Sequence, residues 1–433
     1  MSARARVLLA LGAVAAAIVA VLVLTGGGDD GTRGGRVVRE QRPSALHRLR
    51  PARSSPASAF LDSVGVGMHL NYVDTAYGRQ PEVLERLREL GVRHIRDAVP
   101  VQAPALSQGL RAATDLGVRA TLVIDIKIPP QVAVPAALSD VGRGVEAFEA
   151  PNELDTSGLP DWRRRLDAFL PALRAAVRGS NVDVPIVGPS FVDVANYRSV
   201  APASYDLANV HAYQGGKPPE APLEEHLRRA RGVLPRRPLI FTETGYHNAL
   251  AAAGGQPPVS EEAAAAYMPR ALLGSFAAGV RRTFVYELLD EKPDPRLLDP
   301  EQHFGLLRQD LSPKPAFLAV RNLIAALRRS PGEAADSPPA PTVLASERVE
   351  QVHLTRADGS RVVALWRPVA VWDRSRRRAL DPGRASVRLR WASAVRDVTV
   401  VRPSRSDRPV ASADSTDHLD LELEGDVTLV SYH

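Results

Sequence analysis

Two glutamates are the residues of this sequence best suited by type and setting to acid–base chemistry: Glu153 in APNE (150–153) and Glu243 in FTETG (241–245). Each adjoins an apolar run that reads as a strand, and an acid buried there without a partner is costly. Two carboxyl groups that face each other can cleave a glycosidic bond. One protonates the departing oxygen while the other attacks the anomeric carbon or activates water. The pair must differ in proton affinity, so neighbouring groups have to push the two apart. Arg96 could hold Glu243 ionised, and Tyr213 could donate a hydrogen bond to the same carboxylate. Asn152, beside the acid, is placed to hold a sugar hydroxyl. His69, Asn71, His211, Tyr286 and Glu287 complete a set of polar residues that end apolar runs.

These residues form a site only if the elements that carry them converge. From residue 64 onward, short β-branched runs alternate with amphipathic stretches. Strands read at 65–72, 94–99, 119–125, 145–153, 185–191, 207–214, 238–246 and 282–289. Helices read at 81–90, 105–116, 136–144 (weak and interrupted by proline), 161–178, 194–200 (poorly defined), 223–233, 261–278 and 316–328. Proline in the first turn and Gly91 after the last turn mark the first of these helices. Eight strand–helix units in about 270 residues predict an α/β fold, a (β/α)8 TIM barrel over residues 59–330. No Gly-rich phosphate loop follows any strand, which argues against an open doubly wound sheet. In such a barrel the C-terminal ends of the strands carry the active site. Glu153 then stands on strand four and Glu243 on strand seven, across the mouth. A linker at 331–342 leads to period-two runs separated by turn signals, a small all-β sandwich over 343–433 that is expected to pack on the barrel.

The Asn-Glu that ends strand four and the Thr-Glu-Thr-Gly that ends strand seven resemble clan A glycoside hydrolases, as do IRDAV on strand two and VHAYQ on strand six. The resemblance covers residues 64–327. It implies Glu153 as acid/base, Glu243 as nucleophile, Arg96 as the strand-two arginine, and His211 and Tyr213 as subsite and nucleophile-orienting residues. The C-terminal sandwich is similar to the accessory domains of families 39 and 51. The segment from Ala264 through FVYELLDE to HFGLLRQDLSPKPAF resembles actinobacterial proteins grouped as cellulase-family hydrolases. One departure concerns strand eight, where many clan members place a tryptophan under the sugar; Tyr286 or Glu287 stands there in this chain. The expectation is a retaining glycoside hydrolase acting on a poly- or oligosaccharide. A transglycosylase remodelling surface polysaccharide and a non-catalytic carbohydrate-binding barrel are the alternatives.

Composition narrows the field. Hydrophobic residues make up 45% and charged residues 24% of the chain, ordinary for a globular protein, so disorder is not the default reading. There is no cysteine, so disulfides, thiol nucleophiles and cysteine-bound metal are excluded. His69, His211 and His247 lack metal-site spacing, and neither metal nor cofactor is expected. The net charge of +6 is arginine dispersed among acids, with one dense run, RSRRR at 374–378, that reads as a solvated loop; nucleic acid is not an expected partner. Aromatic residues are only 5%, few for a cleft that stacks cellulose. Arg4 and Arg6 precede an uncharged run over residues 7–25, and Asp29 and Asp30 follow it. A run of that length just spans a bilayer and orients the remainder outward. Residues 1–30 are therefore expected to be a signal anchor or signal peptide, and 31–58 a flexible tether. The catalytic part would be extracellular, secreted or held at the outer face of the membrane.

Overall fold

The computed structural model describes residues 46–234, 236–328 and 337–433. Eight strands run Val64–Gly67, His94–Ala98, Arg119–Val123, Val145–Glu149, Ile186–Val187, Ala208–His211, Leu239–Thr244 and Arg282–Val285. Each pairs in parallel with the next in sequence, the eighth pairs with the first, and a parallel bridge from Val187 to Leu207 closes the ring. This is the expected (β/α)8 barrel.

The helices form where amphipathic periodicity and capping allow. Gln80–Leu90 buries Val83, Leu87 and Leu90 and stops at Gly91, whose φ of +80° favours glycine. The third helix runs Pro130–Asp140 rather than 136–144. Pro130 presets the first turn, and burial of Ala133, Val134 and Ala137 carries the helix through Pro135. After strand five only the 3-10 turns Val194–Ser199 and Pro202–Ser204 replace a helix.

The barrel interior is layered. Ala147, Val187, Leu207, Ile240 and Phe284 form an apolar layer. A side chain on Gly65 would meet the Phe284 ring at 2.4 Å, so glycine there lets the ring fill the axis. Toward the strand N-termini, His94 Nδ1 lies 2.7 Å from Glu146 Oε2, and Arg282 pairs with Glu146 at 3.0 Å. Toward the C-termini lies the layer that carries Arg96, Glu149, Asn209 and Thr242.

The C-terminal all-β domain is built on one large hydrogen-bonded sheet, with a separate two-stranded hairpin, Trp372–Asp373 and Arg378–Ala379. The sheet's longest strand, Ala385–Val401, has a register with Ala411–Leu423 that slips between Arg390 and Val395. Strand Arg361–Trp366 is buried on both faces. Val363 and Leu365 enter the domain's own core, while Val362, Ala364 and Trp366 join the barrel's. The expected tether is corrected over its described part. His47–Arg48 pairs with Thr342–Ala345 and Ser54–Pro56 with Glu350–Thr355, because the edges of this sheet supply unpaired backbone groups. Residues 1–45 and 329–336, which hold the apolar N-terminal run and half of the linker, lie outside the described residues. Among the described residues no helix is long and apolar enough to cross a membrane.

Arg270 fastens domain to barrel. Fully buried, it forks onto Glu220 at 2.9 and 2.7 Å and donates to the carbonyls of Val369 and Gly425, while Trp366 Nε1 donates to the same Glu220. The arginine run sits at the tip of a hairpin, where Arg377 donates to the carbonyls of Leu250 and Ala252 in the loop after strand seven. Breaking a buried, hydrogen-bonded ion pair costs about 3–5 kcal/mol. Arg270→Ala should therefore lower the midpoint of urea unfolding by an equivalent amount, with little change in slope.

Candidate active site

At the C-terminal mouth a cleft of about 980 Å3 is lined by side chains from the C-terminal ends of the barrel strands and the loops that follow all eight of them. Its centre is Arg96. Period two on strand two turns its guanidinium inward, where Nε and Nη2 donate to Glu149 at 2.8 and 2.9 Å. Nη1 donates to Glu243 Oε1 at 2.8 Å, and Nη2 also donates to Asn152 Oδ1 at 2.7 Å. Arg96 is 7% exposed and Glu149 wholly buried, so the fork holds two carboxylates that water cannot reach freely.

Strand seven delivers Glu243 through a β-bulge. Thr283 and Val285 of strand eight face Phe241 and Thr244, and Asn209 and His211 of strand six face Ile240 and Glu243. Strand seven thus carries one residue more than each neighbour. The extra residue lets Thr242 and Glu243 both turn inward, which strict alternation forbids. Thr242 Oγ1 lies 2.8 Å from Asn209 Oδ1 and 3.1 Å from Glu149 Oε1. Glu243 Oε2 accepts from the Tyr213 hydroxyl at 2.7 Å. Burial pushes the Glu243 carboxyl up, but His211, Arg96 and the hydrogen bonds from Tyr213 and Arg96 outweigh it and hold the group below the usual range.

Glu153 lies beyond the end of strand four, not on it. Its φ of +42° is a left-handed conformation that costs an ordinary residue of order 1–3 kcal/mol. Its N–H donates to Ser190 Oγ at 3.0 Å, and Ser190 donates in turn to Asn152 Oδ1 at 3.0 Å. With the Asn152 oxygen committed, its amide nitrogen is the group left for substrate. Asn209, His211 and Tyr213 follow one another at period two along strand six and its extension. His211 Nδ1 stands 2.6 Å from Glu153 Oε1 and 3.4 Å from Glu243 Oε2, bridging the pair.

The remaining expected residues divide. His69, Asn71 and Tyr286 line the cleft. Asp97 pins the strand-one loop by accepting from the Leu70 N–H at 3.0 Å. Burial, then the charge of Arg96, push His69 down to about 4, so its ring is neutral. Glu287 does not line the cleft. The chain after strand eight turns Tyr286 into the opening and Glu287 behind it, where the Tyr77 hydroxyl donates to its Oε2 at 2.9 Å. Burial and the charge of Glu291 push that carboxyl well up. Trp162 is core, its ring 5.5 Å from Phe191.

Glu149, Ser190, Asn209, Thr242 and Glu301 were not singled out in the sequence. For Glu149 a signal existed: two residues after Ala147 it shares the inward face, and an acid inside a barrel requires a cation. Two groupings, Glu153–His211–Glu243 and His69–Glu287–Glu291, each bring one potential metal-ligand atom per residue within 4.8 Å of the others. In the first, both Glu243 oxygens and Glu153 Oε1 are already claimed by Arg96, Tyr213 and His211.

No protein-family model matches the sequence, and no curated protein matches it. Solved structures do match. A family 39 glycoside hydrolase from the gut symbiont Bacteroides cellulosilyticus aligns at TM-score 0.59 and 16% identity over 90% of this chain and 88% of that one. The GH39 enzyme from Xanthomonas axonopodis pv. citri aligns at 0.58 and 14% over 88% and 95%. A monomeric β-xylosidase from Caulobacter crescentus aligns at 0.55 and 15% over 88% and 98%. The coverage takes in barrel and C-terminal sheet together, so the likeness is to the whole two-domain fold.

Replacing Arg96 strands Glu149 without a cation. Arg96→Met should cost about 3–5 kcal/mol in denaturant unfolding. Adding Glu149→Gln should recover part of that loss, a coupling that a double-mutant cycle measures.

Proposed function

We propose that this protein is a retaining glycoside hydrolase in which Glu243 is the nucleophile and Glu153 the acid/base. The observation that carries the reading is the meeting of the two glutamates at the barrel mouth. One oxygen of each, with a His211 nitrogen between them, falls within 4.8 Å of the others. Retention uses carboxyl groups about 5–5.5 Å apart, whereas inversion needs about 6.5–9.5 Å to admit a water. The fold shared with family 39 glycoside hydrolases supports the same reading.

The chemistry follows from the partners. Glu243, held ionised by Arg96 and Tyr213, attacks the anomeric carbon as the glycosidic C–O bond breaks. Glu153 gives its proton to the departing oxygen, then removes a proton from the water that releases the sugar from Glu243. The imidazole of His211 lies against both carboxylates, so it can donate to Glu153 as carboxylate and accept from it as acid. Asn152 offers its amide to a sugar hydroxyl, a contact that strengthens in the transition state. The substrate is a poly- or oligosaccharide. The N-terminal run over residues 7–25, with arginines before and aspartates after, supports export, with the catalytic part secreted or held at the outer face of the membrane.

Glu243→Ala should abolish turnover by several orders of magnitude, and azide should restore part of it as a glycosyl azide of inverted configuration. Proton NMR of the first-released sugar should show the substrate's own anomer, and the opposite anomer would refute retention. Removing the Tyr213 donor withdraws support from the charged form of Glu243. Tyr213→Phe should therefore raise that pKa and move the acid limb of the kcat/KM profile to higher pH.

A further inference from the structure

The charges around the cleft bear on which sugar it holds. Asp125, Glu153, Glu243 and Glu301 all line it. Among the described residues its lining holds one permanently cationic side chain, Arg96, whose Nε, Nη1 and Nη2 already donate to Glu149, Glu243 and Asn152. His69, the imidazole on the strand-one side, is neutral with its pKa near 4. A carboxylate or sulfate brought from water into this cleft would meet like charges and no free cation, and its desolvation would go uncompensated.

Glu301 is the acid whose charge the rest of the site does not use. It reaches the cleft from the turn Pro300–His303 after strand eight and is exposed. It accepts a long 3.3 Å hydrogen bond from the Tyr286 hydroxyl, and among the described residues no lysine, arginine or histidine pairs with it. The Tyr286 ring packs 6.3 Å from that of Tyr213, whose hydroxyl holds the nucleophile, so Glu301 flanks the sugar that Glu243 would attack. An ammonium group there would gain a partner that no protein side chain supplies.

We propose that the sugar held between Glu153 and Glu243 bears no anionic group and is an amine-bearing sugar whose ammonium is recognised by Glu301. This rests on the glycosidase reading, and the two fail separately. Hydrolysis that disappears in Glu243→Ala tests the reading; the order of binding affinities tests the substrate class.

The test is calorimetric titration of the full chain with tetramers of glucosamine, N-acetylglucosamine and galacturonic acid, repeated from mildly acid to neutral pH, because the amine must be protonated while burial and the charges of Glu243, Asp299 and Glu153 push the Glu301 carboxyl up. The glucosamine tetramer should bind about five- to tenfold more tightly than the acetylated one, the size of a partly screened ion pair. The galacturonate tetramer should bind most weakly. High salt should reduce the amine preference, and Glu301→Gln should abolish it. Galacturonate binding as tightly as the acetylated tetramer would overturn the proposal. So would a glucosamine tetramer that binds no better than the acetylated one, a preference that survives Glu301→Gln, or no binding by any of the three.

Discussion

A single guanidinium sits where the barrel interior meets the cleft, and the geometry of the site descends from it. Arg96 binds Glu149 with two parallel N–H bonds, a planar match that lysine could not make. That fork fixes the plane of the group, and the plane fixes where Nη1 meets Glu243 and Nη2 meets Asn152. One cation therefore orients Glu243, keeps it ionised, and positions the Asn152 amide beside Glu153. Glu149 makes this possible without touching the cleft. Held also by Asn209, and with the Thr242 hydroxyl close by, it is a rigid counter-charge in the layer below.

Around that fixed point the two glutamates are aimed by local breaks in regular backbone. An extra residue in strand seven turns Glu243 inward beside Thr242, and a left-handed residue after strand four brings Glu153 back over the mouth. Both departures give up regular strand geometry where the chain needs a carboxylate in a particular direction, the usual place for bulges and unfavourable dihedrals. His211 spans the gap from strand six, so the two acids communicate through one ring rather than through solvent.

The C-terminal sheet belongs to the same body. Its strand Arg361–Trp366 has no face left for water, and Arg270 and Glu220 join it to the helices after strands six and seven. Through Arg377 it also holds the loop that supplies Gln256 to the cleft. The arginine run is therefore part anchor: its hairpin uses guanidinium groups to satisfy carbonyls of a barrel loop that has no secondary structure to satisfy them itself.

Much of this was written in the sequence. The alternation of apolar runs and amphipathic stretches determined the barrel, because each element's period follows from its own covalent geometry. The positions of Glu153 and Glu243 at the ends of the fourth and seventh runs then set them across one mouth. Arg96, Asn152, His211 and Tyr213 were legible for the same reason, as polar residues where apolar runs end. Glu149 and Glu287 were not. Whether a carboxylate near a strand end faces the cleft, the barrel axis or the space behind depends on register, and register is fixed only when neighbouring strands pair. The strands at His47–Arg48 and Ser54–Pro56 were invisible for a related reason. Two- and three-residue segments carry no period of their own and become strands only against an edge that the far end of the chain provides. The sequence determined which acids stand at the strand ends; the tertiary pairing of strands decided which cation holds them and which way they point.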